Sequence, residues 1–316
     1  MEHDQVKQKK KKKKKSPPLM LSFFRFIFKY IGPIFPSLLG RWSYALWFTT
    51  DRLKLTPKRE LKWLQTAKIE AVDLDINVYD VGNLPVMTYY WENKQDQNAP
   101  LVVLMHGWTG RGSQMGAFAA PLLEAGFRVM SFDNHAHDKT PGKVSHLFLQ
   151  SAVQCALTKK VGPIYAFVTH SFGGMVTPYS LNHGLEIQRI VCISPPSRFQ
   201  YVVERFSTAL TLPKSIQEYM FTRFSKEYGE NLHERVSSTV TSKSLGHIPA
   251  LIIHDADDVD VPLSEGELLH QAWPNSKFIR TQGLGHRRIL YDVQVIEKTV
   301  DFLKEGNSSN DSTVAK

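Results

Sequence analysis

The sequence has 316 residues, of which 42% are hydrophobic and 22% are charged, close to the average of globular proteins. This composition excludes a wholly disordered chain, a collagen-like repeat and a multi-span membrane protein, and the length allows one large domain or two small ones. The net charge of +9 is concentrated in residues 1–15, which contain eight lysines against one glutamate and one aspartate. Because the other residues are nearly balanced in charge, no specific nucleic-acid-binding surface is predicted.

The N-terminal part of the chain divides into a charged tail and an apolar extension. Neighbouring lysines repel one another in residues 1–18, which predicts a disordered polybasic tail. Residues 19–70 are predicted to form a mainly helical N-terminal extension. Its longest uncharged stretch near the start has eleven residues, whereas a membrane span needs about 20. A signal peptide is also disfavoured, because Arg25 interrupts the apolar run.

Two interpretations of the start of this extension remain open. On a helix, Ser22, Arg25 and Lys29 share one narrow face, and apolar side chains cover the rest. Next to a polybasic tail, this pattern favours a segment that binds an anionic membrane surface through residues 1–31. The alternative is a helix that packs on the protein body. We expect a cytoplasmic protein, attached peripherally to the membrane under the first interpretation.

From residue 71 the hydrophobic pattern changes to that of strands. Alternation over residues 72–79 predicts a half-buried strand, and residues 85–91 its partner. Continuous apolar runs then alternate with helical stretches, which is typical of strands buried on both faces of a parallel sheet. These runs are Leu101–Met105, Phe127–Phe132, Ile164–Val168, Ile190–Ile193, Leu251–Ile253 and Lys277–Thr281. Residues 71–304 are therefore predicted to form an α/β domain with a mostly parallel central sheet flanked by helices.

One long interval lacks strand candidates. Residues 197–248 have only helical patterns, which predicts a helical cap inserted between two strands. Its aromatic residues either line an acyl pocket or form the cap's own core. These residues are Phe199, Tyr201, Phe206, Tyr219, Phe221 and Phe224. Residues 305–316 are rich in small polar residues and are predicted to be a disordered tail.

The strongest local motif is Ile164–Gly174 (IYAFVTHSFGG), in which an apolar strand leads into Ser171 and then into a helical segment. A serine at a sharp strand-to-helix turn needs small neighbours, because its backbone is strained and the helix packs closely. Gly173 is one such neighbour, whereas Thr169 stands where a glycine is usual. The turn exposes the hydroxyl of Ser171 and directs the backbone N–H of Phe172 toward a bound carbonyl. The motif alone also fits an ordinary turn serine.

Two further strand ends carry polar residues. The strand in Leu101–Gly110 (LVVLMHGWTG) ends at His106 and Gly107, and the N–H of Trp108 is then positioned to be a second oxyanion donor. The strand in Leu251–Pro262 (LIIHDADDVDVP) ends in a loop with four aspartates. This loop lacks the glycine and the terminal glutamate of an EF-hand. Two interpretations of the four aspartates remain open: they form a divalent cation site, or one of their carboxylates orients a histidine.

A histidine follows another strand end. In Phe278–Leu290 (FIRTQGLGHRRIL), a glycine-rich turn delivers His286, which has few packing neighbours in such a turn. Along the chain, Ser171 comes first, the acidic loop second and His286 last. This is the order of nucleophile, acid and base in one group of serine hydrolases. All three follow strands, where an open α/β sheet binds its ligands.

On these motifs the chain resembles the α/β-hydrolase-fold serine hydrolases over about residues 70–304. It is especially similar to small bacterial hydrolases that carry HGWxGRxxQ and GLGHRRIL, which stand here at His106–Gln114 and Gly283–Leu290. The resemblance implies the α/β-hydrolase fold with a helical cap and a Ser-Asp-His triad. In the acidic loop it assigns the triad acid to Asp258, with Asp257 as the second choice.

The resemblance also implies supporting roles. The oxyanion hole is assigned to the N–H groups of Trp108 and Phe172, and Arg111 and Gln114 are expected to buttress the oxyanion loop. The supporting set is His106, Gly107, Arg111, Gln114, His170 and Gly173. Neither a metal nor a cofactor is predicted, because the two alternating histidines within Asp133–Thr140 (DNHAHDKT) have no third candidate ligand.

Four residues depart from the family pattern. Ala136 and Asp138 replace two glycines of a loop at the pocket entrance. Asp255 replaces a glycine of the acidic loop, and Thr169 replaces one at the serine turn. The course of the entrance loop and the substrate preference therefore remain open.

The predicted function is hydrolysis of a carboxylic ester or thioester of a hydrophobic small molecule, through an acyl-enzyme intermediate. A serine nucleophile argues against dehalogenase and epoxide hydrolase chemistry, while thioesterase, lipase, acyltransferase and carbon–carbon hydrolase activities remain open. The alternative is a catalytically inert α/β-hydrolase-fold module recruited to a membrane surface. The four departures are its support.

Overall fold

The computed structural model describes residues 19–51 and 55–311 of the chain. The polybasic tail predicted for residues 1–18 lies outside these residues, as does the end of the tail predicted for residues 305–316.

An eight-stranded sheet forms the centre of the described structure. Its strands run in the order β1-β2-β4-β3-β5-β6-β7-β8, and only the β1–β2 and β2–β4 pairs are antiparallel. The strands are β1 Lys68–Ile76, β2 Gly82–Trp91, β3 Leu101–Met105, β4 Arg128–Phe132, β5 Ala166–His170, β6 Arg189–Ile193, β7 Ala250–Asp255 and β8 Ser276–Thr281. The predicted mostly parallel α/β-hydrolase fold is confirmed.

Helices cover both faces of the sheet, which explains why its inner strands are apolar throughout. In β3, Val103 and Met105 join one buried cluster, while Val102 and Leu104 join the other on the opposite face. The helices after the strands are α4 Ala119–Glu124, α5 Leu147–Val161, α6 Gly173–Leu181, α11 Leu263–Ala272, α12 Gly285–Arg288 and α13 Val293–Asp311. All five residues of β3 are almost completely buried, as two covered faces require.

The predicted helical cap lies between β6 and β7. It consists of α7 Phe199–Leu210, α8 Lys214–Tyr228 and two short helices, α9 Leu232–Val236 and α10 Ser238–Thr241. Ile216 and Met220 are completely buried on one side of α8. The amphipathic helices thus pack onto the domain by one face, as their periodicity requires.

The N-terminal extension precedes the sheet and packs on the cap. It contains α1 Leu19–Phe26, a π-helical turn Ile27–Ile31, α2 Pro36–Trp47 and α3 Lys58–Leu64, and β1 begins at Lys68. Phe28 is completely buried, and Gly40 of α2 lies so close to the Tyr219 ring of α8 that a Cβ would come within 2.5 Å of it. Within residues 19–51 and 55–311, no helix has both the length and the hydropathy needed to cross a bilayer.

The last helix corrects one prediction. The disordered tail predicted from residue 305 is wrong for residues 305–311, because α13 continues to Asp311. Phe302 and Leu303 are buried, and Lys277 of β8 forms an ion pair with Glu305 at 2.7 Å. These tertiary contacts extend the helix into a sequence whose composition alone favours disorder.

Candidate active site

Ser171 occupies a strained turn between β5 and α6. Its φ angle is +51°, a left-handed conformation that costs a residue other than glycine roughly 1–3 kcal/mol. The turn is held because the N–H of Ser171 donates to the carbonyl of Ile193 at 2.9 Å, and the N–H of Gly174 donates to the carbonyl of Ser171 at 2.8 Å. The predicted serine turn therefore exists, with the hydroxyl at the carboxyl end of β5.

Close packing explains the glycines around Ser171. A Cβ on Gly107 would lie 2.8 Å from the Cβ of Ser171, and one on Gly174 would lie 2.7 Å from Pro195. Gly173 faces the carbonyl of His106, 3.2 Å from where its own Cβ would be. The loop after β3 thus touches the serine directly, which no bulkier residue at 107 would allow.

Thr169 fits the position where a glycine is usual. Its side chain is completely buried, and its hydroxyl donates to the carbonyl of Val191 in β6 at 3.0 Å. Because this buried hydroxyl has a hydrogen-bond partner, it avoids the cost of an unsatisfied polar group. The departure from the family pattern is accommodated within the sheet.

His286 connects the serine to an acid. Its Nε2 lies 3.0 Å from the Oγ of Ser171, and its Nδ1 lies 2.7 Å from an Oδ of Asp258. A carboxylate only accepts, so Nδ1 carries the hydrogen and Nε2 accepts from the serine hydroxyl. The structure brings together the three residues predicted as a triad, and their catalytic role stays a prediction.

The surroundings of Asp258 keep it charged. Burial alone would raise its pKa, but hydrogen bonds from His286 and from the N–H groups of Asp260 and Val261 hold the pKa below its ordinary value. The two backbone bonds, both 2.9 Å long, occupy the second carboxylate oxygen. The same oxygen that faces His286 also lies 3.7 Å from Nε2 of His254. Asp258 is thus oriented from several sides.

Asp255 holds the turn that carries His286. Its carboxylate accepts hydrogen bonds from the hydroxyl of Thr281 and from the N–H groups of Leu284 and Gly285, at 2.7 to 3.1 Å. These bonds lower the pKa of Asp255 against the opposing effect of burial. Sequence reasoning noted this residue as one of the aspartates in the acidic loop and as a departure from glycine, and did not assign it this role. Asp255 ends β7 and the turn follows the neighbouring parallel strand β8, so only the pairing of the strands brings them together.

Asp257, the second choice for the acid, has a different contact. Its carboxylate accepts from the N–H of Gly283 at 3.0 Å, in the same turn. Between the two candidates, the geometry favours Asp258 as the partner of His286.

His170 also positions this turn. Its Nε2 donates to the carbonyl of His286 at 2.8 Å, and burial lowers the pKa of His170 to about 3. A neutral, buried imidazole can donate this bond without placing a second positive charge beside His286.

The backbone N–H groups of Trp108 and Phe172 flank the serine, where an oxyanion hole is predicted. Neither donates to a backbone oxygen in the part of the chain that the structure describes. The two rings pack edge to face at 5.4 Å. Phe172 also precedes the nine-residue helix α6, whose N-terminus favours negative charge.

His106 fixes the loop that carries Trp108. Its Nε2 accepts from the N–H of Asn134 at 3.1 Å, so its Nδ1 donates to the carbonyl of Gly107 at 2.7 Å. Burial lowers the pKa of His106 to about 3, which keeps it neutral in this role.

Arg111 and Gln114 make contacts within and next to the loop that follows β3. Arg111 is almost fully buried and forms an ion pair with Glu60 of α3 at 3.0 Å. Glu60 also accepts from the hydroxyl of Ser113 at 2.7 Å. The carboxamide oxygen of Gln114 lies 2.8 Å from where a Cβ on Gly110 would be. Sequence reasoning did not find Glu60, because a single glutamate in a helical stretch carries no local signal for a partner that is distant along the chain.

The loop at the pocket entrance has positive φ angles at two positions where the family pattern has glycine and this chain has other residues. Ala136 has a φ of +62° and Asp138 a φ of +36°. The loop is held by Asp133, whose carboxylate accepts from the N–H of Gly112 at 2.7 Å and from the hydroxyl of Tyr89 at 2.8 Å. Burial raises the pKa of Asp133 to about 6. The two departures therefore place residues other than glycine in the left-handed region, which stores backbone strain.

A largely apolar pocket of about 520 Å³ opens beside Ser171. Its walls include Phe172 and Met175 of α6, four of the predicted cap aromatics and two aromatic residues at the end of α2 in the N-terminal extension. The cap residues are Phe199, Tyr201, Phe206 and Phe224, and the extension contributes Trp47 and Phe48. By contrast, Tyr219 packs on Gly40 and Phe221 is partly exposed. Sequence reasoning missed the two extension residues.

Comparisons with known proteins agree with the observed fold. A profile described as "Alpha/beta hydrolase family" matches residues 102–298. No curated protein sequence matches the chain significantly. Esterase Pf2001 of Pyrococcus furiosus has a similar structure, with a TM-score of 0.57, 20% identity, and coverage of 81% of this chain and 96% of the esterase.

Two further solved structures share the fold. A thermophilic esterase from Thermogutta terrifontis has a TM-score of 0.56 and 17% identity, over 75% of this chain and 98% of its own. A bromoperoxidase from Bacillus anthracis has a TM-score of 0.56 and 19% identity, over 74% and 99%. At this level of identity the likeness concerns the fold.

Proposed function

The chain belongs to the alpha/beta hydrolase family, and on that premise we propose that it is a serine hydrolase that cleaves an ester or thioester of a hydrophobic carboxylic acid. One observation carries the proposal: the continuous hydrogen-bonded path from the Ser171 hydroxyl through His286 to Asp258. A hydroxyl is a weak nucleophile at neutral pH unless an adjacent base accepts its proton.

The first half of the reaction acylates the serine. Nε2 of His286 takes the proton of Ser171 as Oγ attacks the substrate carbonyl, and the Asp258 carboxylate stabilises the resulting imidazolium. The same proton then passes to the leaving group, whose bond to the acyl carbon breaks. The N–H groups of Trp108 and Phe172 stabilise the oxyanion, and one such donor contributes about 3–4 kcal/mol in comparable enzymes.

Water completes the cycle. His286 removes a proton from a water molecule, which attacks the acyl carbon, and the proton returns to Oγ of Ser171 as the carboxylic acid leaves. Every proton transfer passes through Nε2 of His286 while Asp258 keeps its charge, so these side chains and water account for each proton that moves.

The pocket supports the hydrophobic part of the proposal. Aromatic and aliphatic side chains form most of its wall, and its volume lies within the roughly 300–1,000 Å³ typical of small-molecule sites. Polar groups are few on the wall away from Ser171. An acyl chain or an aromatic acid suits such a pocket better than a polar acid.

The inert-module alternative finds less support in the geometry. The hydroxyl of Thr169 donates within the sheet, two residues before Ser171, and Asp255 accepts hydrogen bonds that stabilise the histidine turn. Ala136 and Asp138 keep the backbone angles expected of glycine. The four departures are therefore compatible with a working site.

A series of p-nitrophenyl esters from acetyl to palmitoyl tests the proposal, with the purified full chain and with Ser171→Ala. We expect release of nitrophenol by the wild type, a higher kcat/KM for acyl chains longer than acetyl, and no rate above background for Ser171→Ala. Equal rates for the two proteins on every ester would contradict the proposal.

A further inference from the structure

The N-terminal extension presents an apolar surface to solvent. Its six most exposed apolar side chains have from 58% to 90% of their area accessible, and they come from α1, the turn after it and the start of α2. These residues, hereafter the apolar surface, are Leu19, Met20, Phe23, Phe26, Ile34 and Leu38. Clusters of this kind on a folded protein mark interaction sites, whereas single exposed apolar residues do not.

The apolar surface is fixed in place by the opposite side of the same helices. Phe28 and Leu39 are buried there. The guanidinium Nε of Arg25 donates to the carbonyl of Ala209 in the cap helix α7 at 2.8 Å, and the hydroxyl of Thr211 donates to the carbonyl of Arg25 at 3.1 Å. The interpretation as a helix that packs on the protein body therefore holds for one side of the segment, whereas the other side faces solvent.

Along the chain, the charges in the segment that carries the apolar surface have one sign. Residues 5–50 contain eleven lysines and arginines and no aspartate or glutamate. Eight of these are the lysines of the N-terminal tail, while Lys29 and Arg41 are exposed on the extension itself. A second copy of the chain would bring like charges together at this surface. An anionic surface would pair with them.

We propose that the apolar surface docks on the interface of an anionic lipid bilayer, with the side chains of α1 and α2 inserted among the lipids and the tail lysines paired with their headgroups. Apolar burial and electrostatic attraction reinforce each other in interfacial binding of this kind, and each is weak alone.

Docking would bring the substrate pocket close to the bilayer. Ala209, whose carbonyl is bound by Arg25, also lines the pocket. Only the thickness of α7 therefore separates the membrane-facing helix α1 from the space beside Ser171. The proposal goes beyond the hydrolase activity. Binding of the protein to vesicles is measured without any substrate, so its result does not depend on whether the protein is a hydrolase.

Sedimentation with sucrose-loaded vesicles tests the proposal, using the full chain and two vesicle types: phosphatidylcholine alone, and a mixture of phosphatidylcholine with phosphatidylserine as the minor lipid. We expect the anionic lipid to raise the partition coefficient at least about tenfold, and 0.5 M NaCl to remove most of that gain, since screening shortens the reach of the charges.

Two double variants test the apolar surface itself. Phe23→Ser with Ile34→Ser should lower binding to the anionic vesicles at least about tenfold. Val240→Ser with Val293→Ser, which replaces two exposed valines elsewhere, should not. Both variants should keep the far-UV circular dichroism spectrum and the thermal unfolding midpoint of the wild type, which shows that they fold.

Three outcomes would overturn the proposal. These are no binding to either vesicle, equal loss of binding in both double variants, and concentration-dependent dimerisation in solution that only the Phe23→Ser, Ile34→Ser variant abolishes. The last would assign the surface to a second copy of the chain.

Discussion

The proposed catalytic centre and the pocket beside it are stabilised by different kinds of contact. Ser171, His286 and Asp258 sit in turns after β5, β8 and β7, and hydrogen bonds between polar groups fix them. The pocket wall is mostly apolar and rich in aromatic side chains, and about half of its residues come from helices of the cap and of the N-terminal extension. In the wall, Trp47 packs edge to face on Phe206 at 5.2 Å.

We expect this difference to separate two properties: the centre determines the reaction rate, and the pocket wall determines which esters are preferred. A hydrogen bond between polar groups fails when an atom moves by about 1 Å, so the centre tolerates little change. Aromatic contacts are less directional, and a wall made of them can change its shape while the reaction stays the same. Substitutions in the centre should therefore lower the rate on every ester. Substitutions in the wall should alter the order of preference among esters.

The largest expected loss of activity comes from replacing the proposed triad acid, Asp258. Asp258→Asn should lower kcat by about 10,000-fold on all esters, because an amide in place of the carboxylate no longer holds the reactive tautomer of His286. Asp257→Asn is the matched control, since its carboxylate bonds only to the turn at Gly283; it should lose less than about tenfold. A larger loss in Asp257→Asn than in Asp258→Asn would reverse the assignment. Steady-state kinetics decide between them.

A smaller effect is expected at Asp255. Asp255→Ala removes the acceptor for the N–H groups of Leu284 and Gly285, so the turn that positions His286 loosens. We expect kcat to fall about 10- to 100-fold with little change in KM, and Asp255→Asn to recover part of the loss. A rise in KM at unchanged kcat would place Asp255 in substrate binding instead.

A substitution in the pocket wall should change the preference among esters rather than the rate on all of them. Trp47→Ala enlarges the pocket, and we expect kcat/KM to fall about tenfold for an octanoyl ester but much less for the acetyl ester. Trp42→Ala is the matched control on the same helix, because Trp42 packs on Phe24 and Phe28 away from the pocket. It should leave the ratio of the two rates unchanged. An equal fall in kcat/KM for both esters in Trp47→Ala would contradict the claim that the wall determines the preference among esters.

The smallest effect concerns pH. The pKa of His170 is about 3 in the folded protein, whereas an unfolded histidine has a pKa near 6.5. Between these values the unfolded state binds more protons, so the free energy of unfolding falls as the pH falls, by at most about 1.4 kcal/mol per pH unit for this residue.

Urea unfolding at pH 7, 6 and 5 measures this contribution. His170→Gln should show a shallower dependence on pH than the wild type. His233→Gln, at a histidine that is mostly exposed, should match the wild type. Identical pH dependence in His170→Gln and the wild type would contradict the assignment.

The sequence predicted the sheet because its signals are local. Six apolar runs lie within two residues of the observed parallel strands, and the serine and histidine turns carry glycines that their geometry requires. The acid was harder to predict, since four aspartates share one loop and only the direction of a side chain separates Asp258 from Asp257.

Long-range packing was not predictable from local patterns. Nothing in the hydrophobic pattern of α2 indicates that Trp47 and Phe48 lie against the cap, which comes much later in the chain. The pairing of Glu60 with Arg111 has the same cause. The helical residues 305–311 show the converse, because contacts such as Lys277 with Glu305 override a composition typical of a tail.

Labelling with a fluorophosphonate probe tests the central claim most directly, because a serine activated by His286 reacts whatever its natural substrate is. We predict one adduct per chain, located on Ser171 by peptide mass spectrometry, absent in Ser171→Ala and much slower to form in Asp258→Asn. A folded wild-type protein that forms no adduct, or an adduct that persists in Ser171→Ala, would contradict the account.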